Sequence, residues 1–77
     1  MNINQYLDAA KSELGCGTDA ALAARLGVVH SRISHYRNGK ALPNIDLARR
    51  IARALKLRPA KVIDDIRREK ARRERRR

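Results

Sequence analysis

Residues 18–39, TDAALAARLGVVHSRISHYRNG, can be helical only in two short pieces, and that restriction decides what the rest of the chain can build around them. Gly27 and the Asn38-Gly39 pair interrupt the helical spacing, because both favour the left-handed backbone that ends a helix. Thr18 stands where a side-chain oxygen caps free amides, with Asp19 in the first turn at the positive helix end. One helix is therefore predicted over Asp19–Leu26 and the next over about His30–Arg37. Ala23 falls where the two must cross, and its small side chain permits close approach. Leu22, Leu26, Val28, Ile33 and Tyr36 are spaced to form the apolar seam between them.

The flanking sequence supplies three more helices. Ile3, Leu7, Ala10 and Leu14 recur at helical spacing and predict a helix over about Asn4–Leu14, stopped at Gly15-Cys16-Gly17. After Pro43, Asn44 is a good cap for a fourth. On it Leu47, Ala48, Ile51, Ala52 and Leu55 share one face, and Arg49, Arg50 and Arg53 share the opposite, solvated one. Pro59 suits the first turn of a fifth. No stretch alternates like a strand, and Phe and Trp are absent. A chain this short buries only about 60% of its unfolded surface, so its core must be small and helical. The expected fold is all-α: a compact five-helix bundle with a basic helical C-terminal extension. Residues 1–66 are read as the domain. Residues 67–77 hold eight basic residues, two Glu and one Ala. This end is expected to stay off the core, as a stalk supported by Asp64–Arg68 and Glu69–Arg73 pairs that frays into partial disorder.

Nineteen Lys and Arg against eight Asp and Glu leave a formal net charge of +11. So strong a positive field points to a polyanion, either nucleic acid or an anionic membrane surface, and composition does not choose between them. No run of about 18 apolar residues is present to span a bilayer. Residues 67–77 offer no apolar face to insert into one, so no membrane partner is expected. The opening MNINQYLDAAK lacks the basic-then-apolar order of a secretion signal. A single Cys cannot form an internal disulfide, and the cytoplasm is the expected compartment.

Leu22-Ala23, Leu26-Gly27-Val28, Ile33-Ser34, Tyr36 and Asn38-Gly39 form an ordered series that Pro43, Leu47, Ile51-Ala52 and Ala54-Leu55 continue. In these residues the chain resembles the phage Cro and repressor type of helix-turn-helix, the XRE family. The resemblance spans about Leu7 to Ile63. It implies a five-helix Cro/repressor-like domain that binds double-stranded DNA, used as a homodimer on an inverted repeat, at the nucleoid of a bacterium. The small size and basic end look similar to regulators carried by phages and other mobile elements, and a repressor is the leading expectation. Two positions depart from the family. Val29 stands where Ser or Thr often begins the recognition helix, a lost cap worth about 1 kcal/mol. Arg37 stands where Glu is frequent, which puts an internal ion pair there in doubt and leaves Arg37 to face a phosphate.

On a helical wheel Ile33 and Tyr36 turn inward, while His30, Ser31, Arg32, Ser34 and His35 occupy the outer arc. In this docking mode the start of the motif's second helix reaches base edges. The predicted base readers are Val29, whose methyl could touch a thymine methyl, and His30, Ser31, Arg32, Ser34 and His35. Arg can bond guanine at O6 and N7, and Ser is less selective. Arg32 lies nearest the seam, so a phosphate is its other available partner. Thr18, Arg37, Asn38 and Lys40, with the amides that follow Thr18, are predicted phosphate contacts. Asp19 opposes them there by repulsion.

Each feature also has a plainer reading. The helix pair could belong to an ordinary bundle, and Tyr36, on the seam, is expected to pack rather than stack on a base. His30 and His35 point about 140° apart, a poor geometry for a shared ion, so no metal is expected. Cys16 is read as a bystander thiol. No paired acids, nucleophile–base set or phosphate loop of the right spacing appears, so no enzyme, cofactor or small-molecule ligand is expected. Residues 67–77 could add phosphate attraction, only solubilise, or bind RNA. Two other functions stay open. One is an antitoxin-like interaction protein, although the basic end lacks apolar anchors. The other is an architectural or recombination-directionality factor, although no exposed Phe or Met wedge is evident.

Overall fold

Capping chemistry sets where the helices begin. The computed structural model describes residues 1–75, which form five helices and, among the described residues, no strand. The first, α1 (Ile3–Glu13), opens on a reciprocal box: Gln5 N–H donates to the Asn2 side chain, and Asn2 N–H donates to that of Gln5. In α2 (Asp19–Leu26) the Thr18 hydroxyl accepts from Ala21 N–H at 3.1 Å. The start of α3 (His30–Arg37) has no side-chain cap, as Val29 predicts. Asn44 caps α4 (Ile45–Leu55) by accepting from Leu47 N–H at 2.9 Å. Pro59 begins α5 (Pro59–Arg75).

The apolar faces meet in one core. Tyr6 and Leu7 of α1, Leu22 of α2, Ile33 of α3, Ile51 of α4 and Val62 of α5 are all fully buried. With no Phe or Trp available, Tyr6 is the largest side chain at the centre, and its hydroxyl donates to Asp65 on α5. Asp65 also takes the Met1 amine at 3.3 Å and Lys61 at 3.7 Å. Burial, then the hydrogen bond and charge of Asp65, raise the Tyr6 phenol well above its ordinary pKa. The hydrogen bond from Tyr6 in turn holds the Asp65 carboxyl below the usual range, outweighing the opposite pull of burial.

The end of the chain agrees with expectation in being helical, since α5 runs as one helix to Arg75, but it does not stay off the core. Glu69, inside the basic run, is 9% exposed and accepts from Ile3 N–H at 2.9 Å. That amide is one of the unpaired donors at the start of α1, and a carboxylate there is favoured by the helix dipole. Arg73 grips the other Glu69 oxygen at 2.7 Å and donates to the Gly39 carbonyl at 3.3 Å. The stretch from Glu69 to Arg73 is therefore tied to α1 and to the end of α3. Of the two predicted pairs, Glu69–Arg73 forms; Asp64–Arg68 is not among the ion pairs of the described residues. Arg76 and Arg77, where fraying was also expected, lie outside the described residues.

Candidate nucleic-acid interface

The crossing of α2 and α3 is built by the turn between them. Gly27 takes the left-handed conformation at φ +74°, and Val28 N–H donates back to the Ala23 carbonyl at 3.0 Å. Ala23 is 2% exposed at the crossing, as its size requires. A second group fixes this corner. Arg50 of α4 donates to the Leu26 carbonyl at 2.8 Å, supplying a cation to the negative end of α2. Arg49, Arg50 and Arg53 are all exposed, as a solvated face requires, and Arg50 makes this one main-chain contact in addition. A Cβ at position 27 would stand 3.0 Å from the tip of the Arg50 side chain, which would have to give by a few tenths of an ångström, while the positive φ itself favours glycine.

Bracing from behind leaves the polar arc of α3 outward. Ile33 is 0% exposed and Tyr36 4%, which places Tyr36 in the core. His30, Ser31, Arg32 and His35 are exposed, Ser34 is half-buried, and Val29 stands 64% exposed just before the helix. Five of the six predicted base-facing residues are therefore exposed, and Ser34 is half-buried. Among the described residues no cluster of His, Cys, Asp or Glu is arranged to hold a metal ion. Cys16 is half-buried against the core edge.

The predicted phosphate contacts divide. Thr18, Asn38 and Lys40 are exposed at the two ends of the motif. The Thr18 oxygen is already an acceptor in the cap, which leaves its O–H free to donate outward. Arg37 is placed otherwise. Its guanidinium forks onto Asp19 at 3.1 and 3.2 Å, reaches Asp8 at 2.8 Å and donates to the Asn4 carbonyl at 3.3 Å. It is a clamp joining α1, α2 and α3, and its donors face inward rather than toward a phosphate. The internal ion pair that the sequence put in doubt is present, with Arg as the cation of α3 and carboxylates on both neighbours. Spacing along one helix cannot reveal such a pair, because its two acids come from separate helices.

The clamp also changes the role of Asp19. Hydrogen bonding from Arg37 holds its carboxyl below the usual range despite burial, and Lys11 at 3.3 Å adds to this. Two cations thus offset the negative charge that would repel a phosphate at the start of α2. The free amides there keep their positive dipole end.

The match to a known family covers this same unit. A family model described as helix-turn-helix matches residues 17–62, from the turn before α2 into α5. The chain belongs to the XRE-type helix-turn-helix family. It is a DNA-binding regulator of that type, and its partner is double-stranded DNA. No curated protein and no solved structure matches the chain. Among the described residues no helix is long and apolar enough to cross a membrane.

Proposed function

We propose that this helix-turn-helix regulator is a repressor of phage or mobile-element type that binds an inverted-repeat operator as a dimer, with α3 in the major groove of each half-site. The observation that carries the proposal is the division of α3: a fully buried Ile33 side against an exposed arc of His30, Ser31, Arg32 and His35. A short rigid helix with its polar arc outward fits the wide groove, and its N-terminal residues reach base edges. Val29, His30, Ser31, Arg32, Ser34 and His35 read bases in this scheme. Thr18, Asn38 and Lys40 set register on the phosphates from either end of the motif. Arg37 is withdrawn from that group, because its donors are spent on Asp8, Asp19 and Asn4. The two copies pair on the DNA, and repression follows from occupying the operator.

Selection of bound DNA from a random pool tests the scheme. The expected output is an inverted repeat whose half-sites lie about 34 Å apart, one turn of the duplex. Replacing His30, Ser31 and Arg32 together by Ala should abolish preference for the selected site, since each good base contact contributes about 1–3 kcal/mol. Salt-sensitive general binding should survive, because the phosphate contacts are untouched. Operator preference that persists in the triple variant would refute the assignment of α3.

A further inference from the structure

The apolar surface that residues 67–77 lack is supplied from elsewhere in the fold. A groove of about 830 Å³ lies between the α3–α4 loop, the start of α4 and α5. Leu42, Pro43, Ile63 and Ile66 line it, and Ile45 joins them with 49% of its surface exposed. Three large apolar side chains are exposed among the described residues: Met1, Val29 and Ile45. Val29 belongs to the reading segment and Met1 begins the chain, but nothing in the proposed DNA contact uses Ile45.

The same groove is strongly basic. Lys40, Arg67, Lys70 and Arg73 line it against Asp46 alone. Arg73 is held by Glu69 and the Gly39 carbonyl. Among the described residues no ion pair engages Lys40, Arg67 or Lys70.

We propose that this groove receives an acidic amphipathic helix of a partner protein. Its apolar stripe lies on Leu42, Ile45 and Ile63, over the buried Ile66, and its carboxylates meet Lys40, Arg67 and Lys70. Charge selects this occupant. A second copy docked about a two-fold axis would set one basic lining against another. Duplex DNA would satisfy the cations but leave the aliphatic surface without a partner. A helix with anchors at i, i+3, i+4 and i+7 answers both, and the volume suits two to three half-sunk turns of about 5.4 Å each. Lys40 is also one of the proposed phosphate contacts, so the partner would compete with DNA. That consequence rests on the proposed function; the docking itself does not.

The test uses the full chain without DNA. The probe is a synthetic helix of about four turns with Leu on one stripe and Glu on the other faces. A peptide of the same composition in scrambled order is the control. Amide chemical-shift changes should cluster on Leu42, Ile45, Ile63, Ile66 and Lys70, and the scrambled peptide should bind at least about tenfold more weakly. Ile45→Ser, at a half-exposed position, should weaken the patterned peptide roughly tenfold while leaving Tm and operator affinity unchanged. Equal binding of the two peptides, or shift changes elsewhere, would overturn the proposal. So would conversion of a free dimer to monomer by I45S, which would make a second copy the occupant. Loss of operator affinity in R67E/K70E with peptide binding intact would equally overturn it, in favour of DNA.

Discussion

Arg37→Met separates a structural clamp from a phosphate contact. The substitution keeps the aliphatic stem and removes the guanidinium that forks onto Asp19 at 3.1 and 3.2 Å and reaches Asp8 at 2.8 Å. A hydrogen bond to a charged group contributes about 1.5–3 kcal/mol in a protected site. Three facts reduce that here. The Arg37 and Asp19 side chains are 21% and 28% exposed, Asp8 is 67% exposed, and Lys11 at 3.3 Å still serves Asp19 after the change. The net loss is then about 1–2 kcal/mol once solvent screening is allowed for. For a domain of this size that is a fall in Tm of roughly 4–16 °C. Calorimetry or urea unfolding reads the loss, and a double-mutant cycle with Asp19→Asn should show coupling of about 1 kcal/mol. DNA affinity, measured well below Tm, should keep its salt dependence. Unchanged stability, together with a salt slope reduced by about 0.9, would mean that Arg37 neutralises a phosphate and that the clamp reasoning is wrong.

Other expectations follow from the same contacts. Gly27→Ala should cost about 1–2 kcal/mol, because the new Cβ must accept a left-handed backbone and meet the Arg50 guanidinium at 3.0 Å; an unaltered urea midpoint would contradict this. Tyr6→Phe should lose about 1 kcal/mol and also flatten the alkaline limb. The wild-type phenol has a raised pKa, so its contribution is whole below pH of about 10 and is lost as pH climbs through the folded value. Matching alkaline profiles for the wild type and the Y6F variant would refute the link. The lowered pKa values of Asp19 and Asp65 act in the opposite sense: stability is whole above the ordinary carboxylate range and falls as pH drops below about 4. Asp19→Asn should make the acid decline shallower in pH-dependent urea unfolding.

Local signals carry the motif well. Thr18, Gly27 and Asn38-Gly39 bound α2 and α3 residue for residue, because each acts through its own backbone or the next few amides. Asn44 and Pro59 mark the starts of α4 and α5 for the same reason. The outward arc of α3 is legible too, since Ile33 and Tyr36 leave only one side to be buried. What escapes is long-range and polar. Arg37 looks like a surface cation until Asp8 and Asp19 arrive from other helices. Arg50 sits on the outer wheel of α4, yet its long stem reaches the Leu26 carbonyl. Glu69 is surrounded in sequence by arginines, and its partner is a main-chain amide that leaves no periodic trace. The end of α4 at Lys56, left-handed at φ +57° without glycine, carries no residue signal either; Leu57 N–H closes the turn on the Ala52 carbonyl.

The bond between Glu69 and the Ile3 amide has a bearing on synthesis. A ribosome releases α1 before the rest of the fold, but the acceptor that completes its opening turn is made 66 residues later. Until then that amide has only water, and ring closure across the intervening residues carries an entropic cost that grows slowly with span. The opening turn of α1 gains this side-chain partner only once residue 69 has been made.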